Sequence, residues 1–232
     1  MGAALTLPPD RRSRLDAWSR LHPGIDPYTG LVGGWLRVVD GLAAPLSAAR
    51  VPPDLVTALG LVTAAGATVV ASGDGERRGL GVGGLVVLSA VLDGLDGAVA
   101  VRTGRVTDRG ARLDAVADRA GEACFGGALW LLGAPSWLAA AGVAAGWTVE
   151  GVRHRARRAG RADVIVVTVG ERPTRVAVTA MFAVATAAFA SGSRWGPWAP
   201  KAWPTAGAGV LLVTGAVATV QLARASELRQ GR

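Results

Sequence analysis

The stretch Val91–Arg119, "VLDGLDGAVAVRTGRVTDRGARLDAVADR", decides how this chain is read. Four aspartates, Asp93, Asp96, Asp114 and Asp118, fall in or beside two segments otherwise rich in Gly, Ala, Val and Leu. An aspartate at the centre of a bilayer helix costs about 2.5–3.5 kcal/mol even on insertion scales. Acidic residues in such segments therefore need something to offset them. On a helix, positions i and i+3 share a face, as do i and i+4, so Asp93 pairs with Asp96 and Asp114 with Asp118. Two such helices side by side would bring four carboxylates into one small volume.

The rest of the chain supports a bilayer setting. Of 232 residues, 50% are hydrophobic and only 18% charged, and the mean hydropathy is +0.35, outside the ordinary soluble class. Apolar windows of bilayer length, about 17–25 residues, can be drawn at 54–72, 79–101, 113–133, 136–152, 174–191 and 204–223. The expected fold is an all-α integral membrane protein with six transmembrane helices. Ahead of them, Gly30–Arg50 has apolar residues at helical spacing, with Arg37 and Asp40 on another face, and reads as an amphipathic interfacial helix on the cytoplasmic side. The expected divisions are a cytoplasmic N-terminal segment 1–29, the interfacial helix 30–50, a membrane domain 51–225 and a cytoplasmic tail 226–232.

Charge fixes the expected orientation. With the N-terminus inside, 21 of the 25 Lys and Arg residues fall in cytoplasmic segments, leaving Arg77, Arg78, Arg194 and Lys201 outside. That asymmetry places both termini in the cytoplasm. The N-terminus is polar and broken by prolines where a cleavable signal needs an apolar core. The outer loop "SGSRWGPWAPKAWP" carries three tryptophans that suit an interfacial belt. Cys124 is the single cysteine, which excludes an intrachain disulfide and a cysteine-based zinc site. Arginine is preferred almost to the exclusion of lysine, a bias that points to a GC-rich bacterial genome and hence to the bacterial inner membrane.

The chemistry of the acidic stretch follows from its donors. Carboxylate oxygens without neighbouring His or Cys suit hard cations such as Mg²⁺ or Mn²⁺. Two ions sharing ligands would suit displacement at phosphorus, because paired metals stabilise attacking and leaving oxygens together. Ion pairing with Arg102, Arg105, Arg112 or Arg119 accounts for one or two of the aspartates, but not for two matched pairs at one depth. Gly94, Gly97, Ala98 and Ala100 leave the end of the first acidic helix almost without side-chain bulk, and Gly110 does the same at the start of the next. Glu122, one turn beyond Asp118, is a candidate partner for Arg119 or for a metal ligand.

The spacing resembles the signature of the CDP-alcohol phosphotransferase family, D-x2-D-G-x2-A-R-x8-G-x3-D-x3-D. Asp93, Asp96, Gly97, Ala100, Gly110, Asp114 and Asp118 match seven of its eight fixed positions over 26 residues. The departure is Val101, which stands where the family has arginine; the nearest arginine is Arg102. A one-residue offset turns a helix by about 100°. A second resemblance is "GERPTR", Gly170–Arg175, which is similar to a segment preceding the fifth span in the branch that uses inositol phosphate or glycerol phosphate.

The resemblance implies an enzyme of phospholipid synthesis. It would transfer a phosphatidyl group from CDP-diacylglycerol to a phosphorylated polyol, inositol phosphate favoured and glycerol phosphate next, with release of CMP. Asp93, Asp96, Asp114 and Asp118 would bind Mg²⁺ or Mn²⁺, two ions in all, with Asp118 also the general base. Gly97, Ala100, Arg102, Arg105 and Gly110 would bind CDP. Arg153, Arg172 and Arg175 would hold the acceptor's phosphate. A homodimer is implied, and no nucleic-acid partner is expected. Two alternatives stand beside this reading: a catalytically altered or silent relative, motivated by Val101, and a membrane cation transporter, since intramembrane carboxylates also mark ion pathways.

Overall fold

The computed structural model describes residues 12, 15, 16, 28, 30–158, 167–190 and 201–230. Most of segment 1–29, the basic loop around Arg161, the tryptophan-bearing loop 191–200 and residues 231–232 lie outside them. Among the described residues every regular element is a helix: α1 (Gly30–Ala48), α2 (Pro53–Ser72), α3 (Arg78–Thr103), α4 (Asp108–Leu132), α5 (Ser136–Arg158), α6 (Arg172–Ala188) and α7 (Ala202–Gln230).

Local chemistry sets the boundaries. The turn after α1 uses Arg50 in the left-handed region, φ 57°, and α2 opens on Pro53 followed by Asp54. Proline costs little at a first helical position, and an acid there meets the positive end of the helix dipole. The link between the two acidic helices is closed from both sides. Gly104, φ 65°, lets the chain leave α3, with the Arg105 N–H donating to the Ala100 carbonyl at 2.9 Å. Thr107 then caps α4, its Oγ1 accepting the Gly110 N–H at 3.0 Å. A link this short turns α4 back antiparallel to α3. The last turns of α3 and the first turns of α4, which carry the aspartates, become neighbours.

The chain forms two compact units, Met1–Val62 with Ser89–Asp118, and Thr63–Leu88 with Arg119–Arg232. The first holds α1, the start of α2, the end of α3 and the start of α4. Its core gathers Val39, Ala43, Val56, Leu95 and Val99. Here α2 crosses α3 closely at Gly60, where a Cβ would meet the Leu92 Cβ at 3.5 Å, and the Ser89 hydroxyl donates to the Gly60 carbonyl at 2.9 Å. The second unit is packed mainly by small residues, with Ala64, Ala67, Ala71, Ala128 and Ala183 in its largest cluster. Within it α5 and α6 both lie against α7, and at Gly142 a Cβ would fall 3.1 Å from the Ala208 carbonyl oxygen. Small residues at such crossings let backbones approach and gain dispersion contacts where lipid supplies no hydrophobic drive.

Three of the described helices, Pro53–Ser72, Arg78–Thr103 and Ala202–Ala225, are long and apolar enough to cross a membrane. Their outward residues agree: Val62 and Val69 on α2, Val87 and Leu88 on α3, and Val213 and Val220 on α7 are all exposed. Apolar exposure on that scale is unfavourable in water. The sequence expectation named three further crossings. α4 carries Asp108, Arg109, Arg112, Asp114, Asp118, Arg119 and Glu122, and α5 ends in a basic run. α6 has 17 residues, about 26 Å of helix against roughly 30 Å of hydrocarbon. Composition alone does not carry these three across.

Candidate functional site

The antiparallel turn between α3 and α4 gathers like charges. Asp93, Asp114 and Asp118 each bring one carboxylate oxygen within 4.8 Å of the others, and all three are half-buried. Ionised pairs at that separation repel by about 3 kcal/mol at an effective dielectric near 20, before solvent screening. Oxygens on opposite sides of a cation with 2.0–2.1 Å bonds stand about 4 Å apart. The trio therefore fits one hard divalent cation with only slight side-chain rotation, and its all-oxygen donor set suits Mg²⁺ or Mn²⁺.

Asp96 is placed differently. It is 6% exposed and stands outside the trio. One of its oxygens accepts the Thr57 hydroxyl from α2 and the other accepts the Gly97 N–H at 2.6 Å. Sequence reading missed Thr57, because its partner lies 39 residues away; a hydroxyl at the start of an apolar span was the available signal.

The positions assigned to CDP fall around this group. Gly97 is exposed, and a Cβ added there would meet nothing within 4 Å. Ala100 is half-buried and Arg105 exposed. A Cβ at Gly110 would lie 3.2 Å from the Thr107 hydroxyl and 3.8 Å from an Asp54 carboxylate oxygen. Arg102 reaches back to α1, where it pairs with Asp40 at 2.6 Å. Val101, at the motif's arginine position, is 6% exposed and packed as a core residue.

In the other unit the structure gathers opposite charges. Arg153 extends both terminal nitrogens to Glu171, with NH1 at 2.7 Å from Oε2, and NH2 also donates to the Thr168 hydroxyl at 3.1 Å. Glu171 in turn accepts the Thr168 N–H at 2.7 Å. Arg175 donates through Nε to Glu122 at 2.9 Å, pairs with Glu150 at 3.3 Å and donates to the Gly170 carbonyl. Glu150 also stands 3.5 Å from Arg153. Glu122, a candidate partner for Arg119 or a metal ligand by sequence, accepts from Arg175. Arg172, the third predicted acceptor residue, opens α6 beside Glu171.

These pairings move the ionisation of the two groups at the centre of the network. Burial alone would raise the Glu171 pKa, but the hydrogen bonds from Arg153 and the Thr168 N–H outweigh it and hold the carboxyl below its ordinary value. Burial likewise opposes the charge on Arg153, yet the Glu171 hydrogen bond and charge leave its pKa raised. Sequence reading took the arginines of this region as a set and left their glutamates out, although Glu171 lies inside the "GERPTR" segment itself.

The profile of the family described as CDP-alcohol phosphatidyltransferase matches residues 50–221, well over half of the chain. The chain belongs to the CDP-alcohol phosphatidyltransferase family. Among solved structures, it is similar to Mycobacterium tuberculosis phosphatidylinositol phosphate synthase with CDP-DAG bound, at 25% identity and a TM-score of 0.64, covering 82% of this chain and 93% of that one. The same synthase in complex with manganese and citrate matches at 25% identity and a TM-score of 0.63, covering 81% and 88%. Comparison with curated protein sequences finds no match. As a CDP-alcohol phosphatidyltransferase the protein is a transferase of substituted phosphate groups, acting by phosphatidyl transfer in phospholipid biosynthesis. Membership in this family also decides between the transferase and the cation transporter.

Proposed function

We propose that the protein transfers a phosphatidyl group from CDP-diacylglycerol to a hydroxyl of a phosphorylated polyol, inositol phosphate before glycerol phosphate. The observation that carries this is the carboxylate group of Asp93, Asp114 and Asp118 on two adjoining helices, within the span matched by the family. The similarity to a synthase whose structures hold CDP-DAG and manganese supports the donor and the cation class.

In this reading Asp93, Asp96, Asp114 and Asp118 hold the divalent cations, Mg²⁺ or Mn²⁺ and two in number. When bound, they supply electrostatic stabilisation to the phosphate oxygens as charge builds there. Asp118 takes the proton of the acceptor hydroxyl as its oxygen attacks the lipid-bearing phosphorus. The bond from that phosphorus to the CMP oxygen breaks, and CMP leaves with the electron pair. The open space over Gly97 and the small residues Ala100 and Gly110 make room for the nucleotide, with Arg102 and Arg105 beside its phosphates. Arg153, Arg172 and Arg175 supply positive charge for the acceptor's phosphate, Arg153 and Arg175 while also paired with Glu171 and Glu122.

The same proposal places the protein in the bacterial inner membrane as a homodimer. Each chain has six crossings within 51–225 and α1 in the cytoplasmic interface. The segments 1–29 and 226–232, and the site itself, face the cytoplasm. Purified protein in nanodiscs with CDP-diacylglycerol and Mg²⁺ or Mn²⁺ should release CMP with phosphorylated polyols and not with their unphosphorylated parents. Absence of CMP with every acceptor, with Asp118→Asn no different from wild type, would overturn the proposal. A second reading, an altered activity, is favoured by buried Val101 and by the commitment of Arg102 to Asp40. It predicts that Val101→Arg raises turnover, and full activity of the wild type removes it.

A further inference from the structure

The carboxylate of Asp96 is held on both sides by the protein itself. Its Oδ1 receives the Gly97 N–H, a contact within its own helix turn. Its Oδ2 receives a hydroxyl from another helix, that of Thr57. Both residues are buried, Thr57 at 7% and Asp96 at 6% exposure. The Thr57 hydroxyl also lies 3.3 Å from the Pro53 carbonyl of its own helix. It has one proton to give, and a charged acceptor binds that proton roughly twice as strongly as a neutral one.

The register that creates this contact is set one turn further along α2. Gly60 lies on the same face as Thr57, and a Cβ there would meet Leu92 at 3.5 Å and the Asp93 backbone nitrogen at 3.9 Å. The Ser89 hydroxyl ties α3 to the Gly60 carbonyl from the other side. The close crossing at Gly60 thus fixes how far Thr57 reaches along α3, and it reaches Asp96.

We propose that Thr57 is a positioning residue that sets the direction in which Asp96 offers its carboxylate to a divalent cation. The inference rests on the reading of Asp96 as a metal ligand. A carboxylate has about four acceptor positions, and the two donors seen here use two of them. Thr57 thereby decides which remaining lone pairs face outward, and it spares the ion the work of ordering the side chain. Partners that orient metal ligands are worth about 10–100-fold in metal affinity or activity.

The test is direct Mn²⁺ binding, followed by electron paramagnetic resonance, to full-length protein in nanodiscs, without substrate. Thr57→Val keeps the shape and removes the donor; Thr57→Ser keeps the donor; Thr57→Ala is a second deletion should valine fold poorly; Asp96→Asn removes the ligand. The expected result is Mn²⁺ affinity at least tenfold weaker in Thr57→Val and Thr57→Ala, and wild-type affinity with unchanged thermal stability of the metal-free protein in Thr57→Ser. Wild-type Mn²⁺ affinity in the valine or alanine variant, beside a weakened Asp96→Asn, overturns the positioning role alone. Wild-type affinity in Asp96→Asn overturns the reading of Asp96 as a ligand, and Thr57's role falls with it. In turnover, an effect confined to the metal concentration needed for half-maximal rate, rescued by serine, separates positioning from general packing.

Discussion

Three carboxylates on α3 and α4 put charges of one sign together, whereas Glu122 with α5, α6 and the turn before α6 sets charges of opposite sign against one another. Asp93, Asp114 and Asp118 bring three carboxylates together, while Glu122, Arg175, Glu150, Arg153 and Glu171 form a chain in which each acid touches a base. Both regions are built from ionisable groups, with opposite physical consequences. In a network of opposite charges the groups offset one another within the fold, and removing one partner leaves the other uncompensated. A group of like charges works against the fold, and in the proposed reading a divalent cation relieves it. Charge density alone therefore says little about where a ligand goes; the sign pattern within a few ångströms says much more.

The comparison is broken most sharply at the aspartates. Asp93→Asn, Asp114→Asn or Asp118→Asn should each lower CMP release by about a thousandfold, the loss expected when several kcal/mol of metal-assisted stabilisation disappear. Thermal stability of the metal-free protein should hold or rise, because a repulsion is removed. A large loss of stability in these variants would place the aspartates with the structural network instead.

The reverse signature is expected of Arg175. Arg175→Met leaves Glu122 buried without its counter-ion, both side chains being 8% exposed in the pair. Removing one partner of a buried pair costs about 3–5 kcal/mol, readable as a drop in unfolding midpoint in mild detergent. An unchanged midpoint would mean that the pairing does not carry the fold.

The smallest effect is a pH dependence. Glu171's folded-state pKa lies below the ordinary 4.5, so its pairing contributes fully above that value. The contribution is lost as pH falls through the lowered folded-state value. The acid limb of the wild-type stability profile, below about pH 4.5, should be steeper than that of Glu171→Gln, by about 1 kcal/mol. Parallel acid limbs would show the pair to be energetically silent. The raised pKa of Arg153 works at alkaline pH beyond any practical assay and does not obscure the reading.

How much of this was legible in the sequence depends on distance along the chain. The helices and the four aspartates were readable because their signals are local: apolar windows, and i+3 and i+4 spacing. The pairings were not. Thr57 and Asp96 are 39 residues apart, and Arg175 and Glu122 are 53 apart; only the packing of helices brings each pair together. The same limit hid the Asp40 partner of Arg102, 62 residues upstream. Reading the basic loop by its arginines alone likewise hid the glutamates that hold them. The count of crossings shows the opposite weakness. The charges of α4 that mark the site are what lower its apolar character as a span.

Gly97 separates what folding requires from what chemistry requires. A glycine inside a helix costs about 0.5–1 kcal/mol relative to alanine, and at Gly97 no neighbour stands within 4 Å of where a side chain would begin. Folding by itself would therefore prefer alanine at this position. The missing methyl is a small standing tax on stability, levied beside the aspartates, and its beneficiary is whatever molecule comes to rest against that bare stretch of backbone.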